Sequence, residues 1–559
     1  NLAITGTAGD RTLSFSATGL TGVNSATVTI TAGAATQLTV TTEPSSTAQS
    51  GVPFAQQPVI QLRDASGNPV SQSEVSVTAA IATGGGTLGG TLSATTNGSG
   101  VATFTNLEIT GTAGDRTLVF SATGLASVES NAITITAGEA TQLTLTTQPS
   151  ATARSGVAFA QQPVVQLRDG AGNAVSEAMV TVTATIASGP GGATLSNATA
   201  TTGATGAATF SGLAISGPVG DYTLSFGATG LSSIGSGTIT LTAGPAASIG
   251  NNSPTTQSAP AGTPVASPPS VIVRDASGNP VAGVEVTFAT GPNSGTVDPT
   301  LPIATGGDGT ATVNSWTLNT LVGVNTLTAT AGPDGINGNP VLFTATGTAG
   351  TPSSSQSSVS APSTPIMASN GESASTITVT VRDQVGNAVS GATVTLAATG
   401  AGNTLTPSGT TGSDGVMTGT LSSTVAGTKT ITATVGSVTL DNKPSVTVDP
   451  AAAAQLAFTT QPADVQGGVL APIVVSARDQ FRNAATGFGG NVSMAIANDP
   501  SLLGAHLGGT TLVPAIAGVA TFSDLTIDQL GVGYTLRATA DGPTGAESEP
   551  FTVLTLAVP

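Results

Sequence analysis

The chain has 559 residues with 12 Lys and Arg against 29 Asp and Glu, a formal net charge of −17, no cysteine and a single histidine, His506. An acidic balance with no basic stripe excludes nucleic acid and anionic membrane surfaces as partners. Missing cysteine removes disulfides, thiolate catalysis and Cys-based zinc sites, and one histidine cannot build a multi-His metal centre or a repeated Ser-His-Asp apparatus.

Charged residues are only 7% of the chain while hydrophobic residues are 38%, which describes a folded protein with an unusually neutral surface. No apolar run approaches the ~18–20 residues of a membrane helix, so no membrane insertion is expected in this segment. The start at Asn1 shows no basic stretch leading into an apolar one, and a secretion signal or anchor is expected outside the chain. Both lysines, Lys429 and Lys443, lie in one repeat, so Lys-to-Asn isopeptide staples are impossible in every other repeat.

Internal repetition dominates the sequence. Residues 1–33 match residues 106–138 at 25 of 33 positions, NLAITGTAGDRTLSFSATGL against NLEITGTAGDRTLVFSATGL at their starts. A second marker recurs as VIQLRDASGNPV at 59–70, VVQLRDGAGNAV at 164–175, VIVRDASGNPV at 271–281, TVTVRDQVGNAV at 378–389 and VVSARDQFRNAA at 474–485. Its arginines, Arg63, Arg168, Arg274, Arg382 and Arg478, stand 105, 106, 108 and 96 residues apart. The spacing predicts a partial domain over 1–34 and five full domains over 35–139, 140–245, 246–348, 349–449 and 450–559. The partial unit would hold only the last strands of its fold. The expectation is that Asn1 marks where a longer chain was cut, with completion by strand donation from another chain as the alternative.

Within each repeat, apolar residues alternate with Thr, as in Thr27-Val28-Thr29-Ile30-Thr31 and Val180-Thr181-Val182-Thr183. That is the strand period, and apolar runs end at Gly, Asn, Asp or Pro every 8–12 residues. About 100 residues and seven short strands per unit predict an all-β chain, a linear tandem array of immunoglobulin-like Greek-key β-sandwiches. Phe104, Phe210 and Phe522 share one repeat phase and Phe15, Phe120 and Phe226 another, and both sets read as core. The joints are short and carry Ala or Pro, which predicts a semi-rigid rod. The exception is 347–358, GTAGTPSSSQSS, where a bend is expected, with pairing of part of the segment as the first strand of the next sandwich as the alternative.

In the marker, Asp64 is expected to accept hydrogen bonds from following amides as an Asx turn, with Gly67 and Asn68 in the left-handed conformation that reverses the chain. A calcium role for Asp64 and its equivalents is the weaker reading, because no D-x-D-x-D spacing accompanies it and Arg63 supplies the opposite charge next door. The search for chemistry identifies no catalytic, cofactor-binding or metal-binding residue. Asp524 and Asp528 would stand ~13 Å apart along one strand face, too far for a paired-carboxylate hydrolase. His506 is expected to be solvated or packed, and Trp316 to be core. One Trp and two Tyr cannot form a sugar-stacking platform in each repeat. The sequons at Asn97, Asn197 and Asn491 are of a kind that arises by chance in a Ser/Thr-rich chain. The segment 498–514 reads as a long loop exposing several leucines, a candidate adhesive surface.

Repeat four, Ser357 to Val448, with STITVTVRDQVGNAVSGATVTLAATG and TTGSDGVMTGTLSSTVAGTKTITATV, resembles the bacterial Ig-like group 1 domains of invasin- and intimin-type surface proteins, and repeat three looks similar. Repeats one, two and five resemble related tandem Ig-like repeats of large bacterial secreted or surface proteins. The resemblance implies an extracellular, cell-surface protein that forms a fibre or adhesin stalk, and the missing site types predict no enzymatic activity. Its expected partners are copies of itself, in filaments or bundles, and a host-cell or extracellular-matrix ligand. A binding module recognising host protein or glycan through its repeats is the alternative.

Overall fold

The computed structural model describes residues 1–556, which form 57 strands and no helix. Period-2 patterning explains this directly. Thr181–Ser188 reads TVTATIAS, and Val182 and Ala184 are buried while Thr181, Thr183 and Thr185 face solvent. β-branched residues fit such a half-buried pleated surface.

Five separate hydrophobic cores follow one another along the chain. They run from Leu38 to Ile135, Leu143 to Leu241, Ile249 to Ala345, Val359 to Val448 and Leu456 to Val553. The second shows the common plan. Gln142–Thr147, Val164–Arg168 and Ala207–Thr209 make one antiparallel sheet. Gly220–Gly227, Thr181–Ser188, Thr199–Thr201 and Ile239–Thr242 make the other, closed by Thr152–Arg154, which pairs parallel to Ile239–Thr242. The first strand therefore divides between the two sheets. The all-β array of Ig-like sandwiches expected from the repeats is the architecture found.

Aliphatic side chains fill each sandwich, around a few rings in all but the fourth, whose buried core has none. Phe104 packs on Phe120 with centroids 5.2 Å apart, and Phe210 on Phe226 at 5.3 Å, near edge-on. Trp316 is fully buried and donates from Nε1 to the Ser294 carbonyl at 3.0 Å, so its assignment to the core holds.

Residues 1–34 depart from that plan. They form two small ladders, Gly9–Arg11 with Val28–Ile30 and Ser14–Phe15 with Val23–Asn24. Phe15 was expected in the core alongside Phe120 and Phe226, yet it is 51% exposed while they are at 0%. Phe120 is covered by Phe104 and the opposite sheet of its own sandwich. No such sheet lies within residues 1–34.

Within the segment 347–358 the serines are tied down, in keeping with the expectation that part of it joins the next sandwich. Ser353 donates from its backbone to the Arg382 carbonyl at 2.8 Å, and Ser357 exchanges bonds with Arg382 through its hydroxyl. Both serines are buried. A composition that reads as a linker is used here as polar packing at the start of the fourth sandwich.

The phase-matched phenylalanines supply a direct test. Phe120→Ala and Phe226→Ala are expected to destabilise their sandwiches by about 3–5 kcal/mol, whereas Phe15→Ala should change unfolding by no more than about 0.5 kcal/mol. Denaturant titration of the three variants measures this, and a loss at Phe15 comparable to the others would show that its face is covered in solution.

Candidate functional site at the sandwich joints

The Arg-Asp-x-x-Gly-Asn marker follows the strand Val59–Arg63 and its equivalents at the end of each full sandwich that meets the preceding unit. In the first, Asp64 N donates to the Asn68 carbonyl and Gly67 N to the Asp64 carbonyl, which closes the turn. Gly67 takes the left-handed conformation at φ 83°. Asn68 does not, contrary to the sequence reading, and its side chain does the work instead.

Every acceptor position of Asp64 is used. Oδ1 accepts from Ser66 N at 2.9 Å and Asn68 N at 2.8 Å, and Oδ2 accepts from Gly33 N at 2.9 Å and the Asn68 side-chain amide at 2.8 Å. Gly33 belongs to the connection from the preceding unit. Asn68 then reaches across the joint, donating to the Gly6 carbonyl at 2.9 Å and accepting from Ala8 N at 2.6 Å. One carboxylate and one amide thus fasten three separate stretches of backbone.

The arrangement recurs at all five markers. Asp169 holds Gly138 N, and Asn173 holds the Gly111 carbonyl and Ala113 N. Asp275 holds Gly244 N, and Asn279 the Gly217 carbonyl and Val219 N. Asp383 holds Gly350 N, and Asn387 the Thr320 carbonyl and Val322 N. Asp479 holds Ala451 N, and Asn483 the Thr424 carbonyl and Ala426 N. At the fifth marker Arg482 stands where the others have glycine and still adopts φ 75°, a left-handed conformation that costs a side chain about 1–2 kcal/mol. The clasp forms there regardless.

The loop that receives the clasp is braced from its own sandwich. Arg116, almost fully buried, donates to the Thr112 and Gly85 carbonyls, and Tyr222 Oη donates to the Pro218 carbonyl at 2.7 Å. At the matching position of the fourth sandwich, Lys429 donates from Nζ to the Ala401 carbonyl.

Hydrogen bonds to the ionised form govern the electrostatics of the clasp. The Asn68 side-chain amide, with the N–H groups of Gly33, Asn68 and Ser66, outweighs burial and lowers the Asp64 pKa to about 2. For Asp169 and Asp275 burial is the largest single influence and opposes ionisation. The Asn amide and the backbone donors together still hold both below the ordinary carboxylate range. Asp383 behaves likewise, with Gly350 N the strongest of its donors. Arg63 does not pair with Asp64 as the sequence suggested. Its guanidinium donates to the Gly67 carbonyl at 2.6 Å and braces the turn. Four N–H donors fill the carboxylate, which favours the turn reading over a calcium ligand.

The other sequence candidates do not converge with the clasp, and of them His506 and Asp528 meet. Asp524 takes Thr510 N and Oγ1, and Asp528 takes His506 N, on either side of the two-residue strand Thr526–Ile527. His506 is 87% exposed as expected, but a carboxylate does lie beside it, with Nδ1 3.5 Å from Asp528 Oδ2. The segment 498–514 is only partly loop, since Leu507–Gly508 and Leu512–Pro514 are strands. Asn97 Oδ1 is engaged by Ser99 N and Val101 N in a turn, and Asn197 donates to the Gly212 carbonyl.

Comparison with known proteins bears on the fold. Residues 356–449 match the bacterial Ig-like domain (group 1), and residues 138–245 match Ig-like domain 6 of SMCHD1. The chain is a tandem array of Ig-like sandwiches, and its fourth is similar to the bacterial group 1 Ig-like domains. No curated protein sequence matches it. Among solved structures, invasin, a bacterial integrin-binding protein, is similar at 19% identity over 73% of this chain and 79% of its own, with a TM-score of 0.36. The Escherichia coli adhesin FdeC is similar at 21% identity over 55% and 97%, TM-score 0.31, and Yersinia pseudotuberculosis InvD at 18% over 54% and 95%, TM-score 0.29.

Two outcomes test the clasp. Asn173→Ala leaves the Gly111 carbonyl and Ala113 N without their partner, an expected cost of about 1–3 kcal/mol at the joint. Spin labels on the first and second Ig-like domains should report a broadened distance distribution, while the two cores melt as before. The second concerns pH. Asp64, Asp169, Asp275 and Asp383 have folded-state pKa values below the unfolded value of about 3.9, so their stabilisation is complete above that pH and is lost as pH falls through the folded value. For Asp64 that value is about 2. The distance distribution across the joint fastened by Asp64 should therefore broaden between about pH 4 and pH 2 and sharpen again on neutralisation. A distribution indifferent to pH over that window would mean that carboxylate charge does not hold the joint.

Proposed function

We propose that the chain is the extracellular stalk of a bacterial surface protein, a semi-rigid rod of Ig-like domains that acts through reach rather than through chemistry. The observation that carries this reading is the fivefold repetition of the Asp–Asn clasp. Each clasp ties the incoming connection and the preceding unit's loop to one turn, and a joint held at three points resists swinging. The division into a partial unit at 1–34 and domains at 35–139, 140–245, 246–348, 349–449 and 450–559 belongs to the same proposal. The neutral surface, rich in Thr, Ser and Gly and poor in Lys, lowers the entropic and electrostatic cost of lateral contact, which supports bundling with copies of itself. The titratable side chains at the joints are consumed in backbone hydrogen bonds, and no catalytic role is proposed for any of them.

At about 35–40 Å per domain, five domains span roughly 180–200 Å. A rod of that length has a radius of gyration near 55 Å, whereas a compact globule of this size would have about 24 Å. Small-angle scattering on the full chain is expected to give the larger figure, and a value near the smaller would overturn the stalk.

A further inference from the structure

The far end of the fifth Ig-like domain is built differently from the ends that receive a clasp. In every receiving loop the residue after the clasped amide is a glycine at φ between 131° and 147°, namely Gly9, Gly114, Gly220, Gly323 and Gly427. The matching residue is Gly531, which faces Val553 across its ladder as Gly114 faces Ile135. Gly531 does not have a positive φ, and the chain bulges between Val532 and Tyr534 around Gly533 at φ 96°. The backbone common to the five receiving loops is therefore absent from this one.

A neighbouring loop is enlarged at the same end. In the first Ig-like domain the turn after Ser76–Thr83 spans 84–86, whereas its counterpart after Asn491–Asn498 spans 499–506. Pro500 lies against Gly531 and Tyr534, which places the enlarged loop on the altered end. Its tip carries Leu502 at 101% exposure and Leu503 at 84%. The leucines sit on a fastened backbone. Asp499 accepts from Ser501 N at 2.9 Å and Ala505 N at 2.7 Å, and Asp528 accepts from His506 N at 2.8 Å. Apolar side chains presented on an already ordered loop lose little freedom when they bind.

The charge around this tip has one sign. Asp499 lies within the loop and Asp528 holds His506 N at its base, hydrogen bonds keep Asp499 ionised, and no Lys or Arg occurs between Arg482 and Arg537. Carboxylates beside an apolar tip repel an anionic lipid surface and the same tip of another copy, and they attract a cationic rim.

We propose that the Leu502–Leu503 tip, with Asp499 and Asp528 beside it, is a docking surface for a protein that offers an apolar pocket rimmed by Lys and Arg. This names a partner class for the extracellular protein proposed above and rests on that reading. The leucines fill the pocket and the carboxylates set orientation and encounter rate.

Full-length chain is passed over immobilised fibronectin, laminin and type IV collagen, and is separately mixed with phosphatidylcholine and phosphatidylserine vesicles. Saturable binding to at least one of the three proteins is expected, with affinity falling at least 30-fold in the Leu502→Ser/Leu503→Ser variant and several-fold between 0.1 and 0.5 M salt. Both substituted residues are exposed, so the variant's melting temperature should be unchanged. Leu301→Ser, which removes another exposed leucine from the third Ig-like domain, should leave binding intact. Absence of binding to all three proteins, binding indifferent to the two leucines, or leucine-dependent binding to vesicles would each overturn the proposal. Scattering separates this from failure of the stalk, because an extended chain that binds nothing sinks only the docking surface.

Discussion

Each joint in this chain rests on one side-chain pair, an ionised aspartate and the asparagine four residues beyond it. A carboxylate oxygen can accept two N–H groups, and both oxygens of Asp64 do so. Two of those bonds shape the turn, one secures the incoming connection, and the fourth orients the asparagine amide so that its remaining donor and acceptor point across the joint. The order of dependence is strict. Without the charged acceptor the turn loses its shape, and without the turn the amide has no fixed direction.

This explains why a chain with so few charges spends one at the same place in every repeat. A neutral acceptor in place of Asp169 could not hold four donors with comparable strength, because bonds to an ionised oxygen are roughly twice as strong as neutral ones. The surrounding surface needs no such investment. Its Thr and Ser side chains satisfy one another across strands, as Thr78 does with Ser121 and Thr83 with Thr117.

Much of the architecture was legible in the sequence because sheets announce themselves by period. Thr181–Ser188 alternates, and the structure buries the apolar half of it. The turn around Asp64 was legible too, since Asp and Gly at those positions have a local reason to be there. The reach of Asn68 was not. Its partners, the Gly6 carbonyl and Ala8 N, are backbone groups some 60 residues upstream and leave no side-chain signature. One signal was available. At the fifth marker Arg482 replaces the turn glycine while Asn483 stays, and a residue kept where the turn's own requirement is dropped serves something outside the turn. Phe15 was misread for a different reason, because repeat phase reports what a residue does in a complete sandwich and not whether the opposite sheet is present. For the serines of 353–357 composition left two readings open, because it does not distinguish a solvated linker from hydroxyls bonded to Arg382.

The receiving loops contribute only peptide carbonyls and amides to the clasp. Gly111, Gly217, Thr320 and Thr424 are interchangeable in that role, since each offers the same C=O in the same place. Side chains do meet across a joint, as Ser155 Oγ does with Ser277 Oγ, but a junction made mostly of main-chain atoms asks little of the modules on either side. Copies can be duplicated, deleted or reshuffled in the gene with little redesign of an interface. The length of the protein is thereby free to vary over evolutionary time as a simple count.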